Sequence, residues 1–358
     1  MQPFALIRPK RLDDARQLVR EQPEIRVFRA GGIDLFDRMK EGLDEPQMLV
    51  ELRDVEGLSA SAGVVDHAPL LPADDDAYPN FYFPDGKLYA EINALTTLAQ
   101  LAEATLPGAE ALTEAASQAA TPSIRNTATI GGNLLQRPRC WYFRNRELVC
   151  LKKGGDMCLA VVGDNRYNAI LGGGPSFIVH PSSLGAPLLA LDAAAQVLRG
   201  EPGEGSPLET HQLTSIADIF VGPKQDPTRE HNLEPGDVLT SIWIPMLEGM
   251  RSAYQAVREK QSHDWPLAEA AVRMRIEADG TMRDVRVALG HVAPIPWNAS
   301  EAAAMLEGQV PSEALFEQAA AAALAPAKPL DGNAYKVPLS KGLLREVLHR
   351  ASGLPLPE

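Results

Sequence analysis

Thr127-Ala128-Thr129-Ile130-Gly131-Gly132-Asn133-Leu134-Leu135-Gln136, followed at once by Arg137-Pro138-Arg139-Cys140, is the stretch on which the reading of this chain turns. Two adjacent glycines let the backbone turn tightly and approach a ligand with no Cβ in the way. Successive N–H groups in such a turn form a concave anion site. Thr129, Asn133 and Gln136 carry side chains suited to a polyol or an amide edge. By itself a Gly-Gly turn reads first as a plain structural turn. Two other features of the sequence change that reading.

The first is an earlier loop. Val27-Phe28 leads into Arg29-Ala30-Gly31-Gly32-Ile33-Asp34-Leu35, and Phe36 to Lys40 continues in a helix-like pattern. A short strand, a Gly-Gly turn and a helix present backbone N–H groups to a phosphate. The spacing is not the G-x-G-x-x-G of a dinucleotide fingerprint, and no Gly-Lys-Ser/Thr follows, so neither it nor a Walker loop is present. Two separated Gly-Gly loops are consistent with a diphosphate gripped from two sides. The second feature is cysteine placement. The chain has three cysteines, all within Cys140-x9-Cys150-x7-Cys158. Thiols gathered so closely read as metal ligands, as a disulfide plus one, or as three ordinary cysteines. Met1-Gln-Pro-Phe4 runs into charged residues with no apolar signal region, so a reducing cytoplasm is expected, which argues against a disulfide. Arg139, Arg144, Arg146, Lys152 and Lys153 favour thiolates and offset an anionic cluster. Zinc wants a fourth ligand, and no His or further Cys follows until His180.

These stretches carry a resemblance. Ala30-Gly31-Gly32-x-Asp34-Leu35 and Arg125-Asn126-Thr127-Ala128-Thr129-Ile130-Gly131-Gly132-Asn133-Leu134 look like the FAD-binding subunit of the xanthine dehydrogenase family of molybdenum hydroxylases. His180-Pro181-Ser182, Pro235-Gly236-Asp237-Val238-Leu239, Ile242-Trp243-Ile244-Pro245 and Ala334-Tyr335-Lys336-Val337 extend the likeness over nearly the whole chain. The cysteine loop is similar to that of the subgroup with the periplasmic aldehyde oxidoreductase and 4-hydroxybenzoyl-CoA reductase FAD subunits, which carry an extra [4Fe–4S] cluster there. The resemblance implies that Ala30, Gly31, Gly32, Ile33, Asp34 and Leu35 bind the FAD pyrophosphate. Thr129, Gly132, Asn133, Leu135 and Gln136 would bind its second side, with Leu239 near the adenine or ring and Lys260 near the flavin edge. Ser183 stands where the family often has an aspartate that hydrogen-bonds the flavin. Cys140, Cys150 and Cys158 would be cluster ligands; Ser176 occupies the subgroup's fourth cysteine position, which implies a [4Fe–4S] or a [3Fe–4S] cluster.

Composition agrees. The chain has 358 residues, 45% of them hydrophobic, enough for two or three packed units. A net charge of −13 argues against a nucleic-acid partner. No uninterrupted apolar run reaches membrane-spanning length; the best candidate, Ala186 to Leu198, is short and contains Asp192. Periodicity predicts helices at Leu12 to Arg20, Leu95 to Ala104 and Ala109 to Ala119, and a strand at Met48 to Leu52. An exposed loop is expected at Ala68 to Pro84 and an irregular insertion at 138–175. Leu188 to Leu198 reads as mixed, and Gly222 to Pro235 as a linker. A hairpin, Ala268 to Glu277 and Val285 to Val292, turns at Asp279-Gly280, and helices follow at Glu301 to Leu306, Glu313 to Leu324 and Lys341 to Ala351. Strand–helix alternation fails in the C-terminal third, so the class is α+β. The resemblance makes it a two-part FAD-binding domain of the vanillyl-alcohol-oxidase/PCMH type followed by a smaller α+β domain. The expected divisions are 1–57, 58–235 and 236–358.

The chain shows no Gly-x-Ser-x-Gly elbow and no His-x-x-x-His pair, so no general acid, base or hydrolytic metal is assigned. The function implied is an electron-transfer subunit. A large molybdopterin-binding subunit would oxidise an aldehyde or N-heterocycle. A small subunit with two [2Fe–2S] clusters would deliver the electrons here, and a periplasmic location would follow from co-export with a partner. A free-standing flavoprotein oxidase of the vanillyl-alcohol type and a cluster-binding scaffold without FAD are the alternatives.

Overall fold

The computed structural model describes residues 1–56, 58, 64–67, 88–200, 210–260 and 263–356. The expected loop Ala68 to Pro84 and the boundary residue Gly57 lie outside the described residues. The first lobe runs β1 (Ala5–Ile7), α1 (Leu12–Glu21), β2 (Arg26–Arg29), α2 (Ile33–Lys40) and β3 (Met48–Glu51). Its strands form a parallel sheet in the order β1-β3-β2. The central strand is the buried one, and Leu49 and Val50 are fully buried between α1 and α2, against Ala15 on one side and Leu35 and Met39 on the other. Arg16 of α1 is also fully buried. Its guanidinium donates to the carbonyl of Gly236 at 3.0 Å and to that of Gly200 at 2.7 Å, and Arg20 reaches the Gly200 carbonyl as well. Both acceptors belong to the second lobe, so α1 is docked by main-chain oxygens rather than by apolar packing alone.

The second lobe holds β4 (Val64–His67), β5 (Leu88–Asn93), α3 (Leu98–Glu103), α4 (Glu110–Gln118), α5 (Pro122–Arg125), α6 (Ile130–Leu134), α7 (Trp141–Arg144), α8 (Gly185–Ala190), β6 (Ala194–Arg199), β7 (Thr210–Ser215) and β8 (Val238–Met246). The sheet is antiparallel, ordered β4-β5-β8-β6-β7. The expected boundary at 236 would make β8 the opening strand of the C-terminal unit. Instead it lies between β5 and β6, with Ile242 opposite both Ile92 and Ala195. The polar stretch Gly222 to Pro235 resembles a linker, but it returns the chain to the middle of the same sheet. α3 starts at a Thr97–Gln100 capping box, which satisfies two orphan N–H groups. The insertion 138–175 is mostly turns, with α7 and short 3₁₀ segments at Leu151–Lys153 and Leu159–Val161.

The third lobe is an antiparallel meander of β9 (Met250–Arg258), β10 (Pro266–Ile276), β11 (Met282–Gly290) and β12 (Trp297–Asn298), with α9 (Ser300–Leu306), α10 (Glu313–Leu324) and α11 (Lys336–Ser352). Strand side chains alternate between faces. Ala268, Ala270, Val272 and Met274 of β10 pack on the lobe's own helices, while Ala271, with Tyr254 and Ala288, joins the core of the second lobe. The sheet is covered on both faces, so β10 reads as a nearly unbroken apolar run. Its fully buried polar residues, Glu269 and Arg273, lie on the interlobe side. Arg273 donates to the Leu191 carbonyl at 2.9 Å, and Glu269 is completely buried.

Candidate functional site

The two Gly-Gly loops, about a hundred residues apart in sequence, touch. A Cβ built on Gly31 would stand 2.3 Å from the carbonyl oxygen of Thr127 and 3.2 Å from the Cα of Ala128, so only glycine permits the approach. Gly32 has φ +74° and turns the chain from β2 into α2. Past that turn the N–H groups of Gly31, Gly32, Ile33, Asp34 and Leu35 find no acceptor among the described residues. Five donors at a helix start form a cradle for an anion. The second loop behaves differently. Gly131 donates to the Ala94 carbonyl at 2.8 Å, Gly132 to the Thr129 hydroxyl at 3.2 Å, and Asn133 to the Thr129 carbonyl at 2.8 Å. Its N–H groups are spent on its own fold, and its contribution to a ligand falls to exposed Gly132 and to side chains.

Asp34 ties the two loops to the insertion. Its carboxylate accepts from the N–H of Arg137 at 3.1 Å and pairs with Arg144 at 2.6 Å, Arg139 at 3.0 Å and Arg38 at 3.2 Å. Burial opposes its ionisation, but Arg139, Arg38 and Arg144 outweigh that and hold the carboxyl below its ordinary range. The Asp34 side chain thus addresses the chain's own arginines, not the cradle. Arg144 also reaches Glu41 at 3.1 Å, and Arg139 reaches Asp37 at 2.9 Å.

Behind the second loop, the Asn133 amide oxygen accepts from the Ser182 hydroxyl at 2.7 Å. Gln136 is buried and donates to the carbonyls of Asn133 and Pro181. Leu135 caps α6 and is half-buried, and Leu239 of β8 packs beside Gly131. Ser183 is buried and faces Glu269. Lys260 is exposed just past β9, with no hydrogen bond among the described residues, and is not drawn into this group. His180 is buried beside Phe220, and burial, with His231 and Lys152 nearby, drives its pKa down to about 3, against the pull of Glu230. Glu230 is a site residue that motif reading missed: it pairs with Lys152 at 2.9 Å and Arg137 at 3.0 Å, fastening the insertion to the second lobe.

A cavity of about 290 Å³ opens between the insertion and the β9–β10 connection, lined by Arg139, Cys140, Trp141, Tyr167, Trp265 and His291 among others. Arg139 stacks on Trp265 at 4.7 Å while pairing with Asp34, so cavity and cradle adjoin through one side chain. Free N–H donors without obstructing side chains fit a diphosphate, and an aromatic-lined slot beside them fits a planar ring. Together they fit an FAD. The cysteines present a different picture. Cys150 and Cys158 are buried and Cys140 half-buried, none in a disulfide. Burial pushes the Cys140 thiol up, with Cys158 near enough to add to the shift, and the Asn168 amide points at its sulfur from 4.0 Å. Ser176 is buried, and its carbonyl accepts from Gly174. Among the described residues no three His, Cys, Asp or Glu converge on a single metal ion.

A fold of this kind, with a nucleotide cradle between two lobes and a third lobe closing the ring slot, is that of a flavin-binding electron carrier. Residues 85–247 match the FAD binding domain in molybdopterin dehydrogenase, and residues 252–351 match the CO dehydrogenase flavoprotein C-terminal domain. The aldehyde oxidoreductase FAD-binding subunit PaoB of Escherichia coli (strain K12) is 31% identical over 330 residues, 90% of this chain and 91% of that protein. The carbon monoxide dehydrogenase medium chain of Hydrogenophaga pseudoflava is 24% identical across 96% of this chain and 95% of its own. Among solved structures, the reconstituted CO dehydrogenase from Oligotropha carboxidovorans shares the fold with a TM-score of 0.70 at 24% identity, over 99% of this chain and 100% of that one. The chain belongs to the family of FAD-binding medium subunits of the molybdenum hydroxylases.

Proposed function

We propose that this chain is the FAD-containing electron-transfer subunit of a multi-subunit molybdenum hydroxylase that oxidises an aldehyde or an N-heterocycle. The observation that carries the reading is the contact of Gly31 with Thr127, which makes one cleft of two distant Gly-Gly loops. FAD supplies the exchange between one-electron donors and a two-electron acceptor, and the protein positions it. In that role the N–H groups of Gly31 to Leu35 hold the diphosphate. Thr129, Gly132, Asn133 and Gln136 line its second side, and Trp141 and Trp265 screen the ring slot from water. The name of its 31%-identical relative, an aldehyde oxidoreductase subunit, supports the substrate class. The expected partners are a large molybdopterin-binding subunit and a small subunit with two [2Fe–2S] clusters. No helix among the described residues is long and apolar enough to cross a membrane.

A finer part of the proposal is an iron–sulfur cluster of this chain's own on Cys140, Cys150 and Cys158, with Ser176 at the fourth position. Its support is three thiols in one arginine-rich loop and the proximity of Cys140 to Cys158. The absorbance spectrum of the purified chain, with iron analysis, tests both parts. Flavin bands with a broad shoulder and bound iron are expected. Flavin bands without iron remove the cluster alone, and a chain that takes up no FAD sinks the whole reading.

A further inference from the structure

Under the ring slot lies a group of buried polar atoms that neither cofactor binding nor packing uses. His291 lines the cavity, is 3% exposed, and adopts φ +58° immediately after β11. Its Nε2 is buried, has no hydrogen-bond partner, and stands 3.5 Å from Oε1 of Glu269. Glu269 is 0% exposed; the Tyr254 hydroxyl donates to its Oε1 at 2.7 Å, and its Oε2 has no partner. A buried carboxyl with one oxygen unpaired, beside a buried imidazole nitrogen with no partner, is costly unless the pair holds a proton. We propose that Glu269 and His291 hold one exchangeable proton at the wall of the cavity and give it to the group reduced there.

The surroundings favour a neutral pair. Facing Glu269 are Tyr254 and Arg258 from β9, Ser183 from the loop before α8, and His291 itself. Facing His291 are Lys336 from α11, His180 and Arg258; Lys336 donates to its carbonyl at 2.9 Å. Burial raises Glu269 to about 7 against the opposing pull of Tyr254, Arg258 and Ser183, and burial, with Lys336, His180 and Arg258 nearby, holds His291 well below its usual value. In the neutral pair the acid carries the proton and the imidazole is the bridge from the carboxyl to the cavity. A flavin reduced there by two successive one-electron deliveries would need one proton for its two electrons; the pair would supply it, leaving Glu269 as carboxylate, and would take it back when the acceptor removes the two electrons, so charge and protons balance over the cycle.

This inference deepens the flavin reading and rests on it for the identity of the occupant, but its first test needs no cofactor. In a pH titration of the flavin-free full chain followed by infrared spectroscopy, one protonated-carboxyl stretch should persist to neutral pH and vanish in Glu269→Gln. If every carboxyl titrates in the ordinary range, the pair holds no proton and the proposal fails. The second test uses the FAD-loaded chain in an electrochemical cell. The reduced-minus-oxidised difference spectrum should lose that acid band and gain a carboxylate band, with neither change in Glu269→Gln at equal flavin content. An unchanged band on reduction overturns the proposal while leaving FAD binding intact. Tyr254→Phe keeps the acid and removes one hydrogen bond. It should shift the band without abolishing it, and an unshifted band assigns the signal to another carboxyl and counts against the pair.

Discussion

Gly31-Gly32 and Gly131-Gly132 are the same dipeptide put to opposite uses. At the first, the chain leaves a strand, turns through a left-handed glycine and starts a helix with its donors open. At the second, Thr129 caps a five-residue helix and the donors are consumed by Ala94 and by Thr129 itself. The first loop offers its N–H groups open, and the second has spent its own on the fold that holds it in place. Glycine is needed at Gly31 because another backbone stands against it, whereas at Gly132 nothing but the Thr129 hydroxyl lies within reach. The motif alone does not distinguish these uses; the acceptor available to each N–H does.

Substitutions break the comparison in graded fashion. Gly31→Ala should have the largest effect, because its Cβ would sit 2.3 Å from a main-chain oxygen and the loops would have to part. A loss of about 3 kcal/mol of stability and most of the bound flavin is expected; wild-type flavin content and thermal midpoint would refute the contact. Asp34→Asn comes next. It leaves Arg38, Arg139 and Arg144 without their shared carboxylate, at a cost of about 2 kcal/mol. Limited proteolysis should then cut the insertion first, and unchanged cleavage kinetics would show that the insertion is anchored elsewhere.

Acid should weaken the region behind the second loop. His180 and His231 are held to about 3 and about 4 by burial, and His291 also lies well below its usual value. Groups with depressed folded pKa values contribute stability above the unfolded value of about 6.5, and that stability is lost as pH falls towards the folded values. Every tenfold difference in proton affinity between the folded and unfolded chain is worth roughly 1.4 kcal/mol. Glu269 acts the other way, since its raised pKa gives stability that is present below about 4.5 and lost as pH rises through about 7. Three histidines outweigh one acid, so denaturant midpoints should fall below pH 6.5, and His180→Gln should flatten that slope. An identical slope in the variant would take His180 out of the account. Thr129→Val removes the acceptor for Gly132 and should cost about 1 kcal/mol in urea unfolding. Gly132→Ala is the smallest change, under about 1 kcal/mol with flavin retained, because the one close atom is a hydroxyl that can rotate. A Gly132→Ala effect as large as that of Gly31→Ala would erase the distinction between the loops.

Much of the fold is legible in the sequence. Periodicity locates α1, α4, α10 and the β10–β11 hairpin, and the two glycine loops stand out as motifs although nothing local says that they meet. What escapes is non-local. β8 reads as part of the C-terminal unit because pairing with β5 and β6 leaves no local trace. α11 begins at Lys336 rather than Lys341, since Pro338 in a first turn has no intrahelical N–H bond to forfeit. Asp34 carries the motif of a cofactor residue, yet its carboxylate is taken by arginines a hundred positions later, which spacing within the motif does not reveal. Glu269 does leave a signal: a lone acid inside Pro266-Leu267-Ala268-Glu269-Ala270-Ala271-Val272 is a charge in an otherwise apolar strand, and such a residue demands a partner or a purpose.

Arg16 sets a timetable for biosynthesis. It belongs to the second element to leave the ribosome, but one acceptor of its guanidinium, the Gly236 carbonyl, comes 220 residues later. At about 5–20 residues per second, translation separates the two by roughly 10 to 40 seconds. Until then the first lobe carries an arginine with its main-chain harbour not yet made, and the glycine loop it supports waits for Thr127 as well. A nascent chain therefore cannot complete the cleft piecemeal from its N-terminus; capture of the nucleotide waits until the last strand of the middle sheet has arrived and the oldest helix is fastened in place.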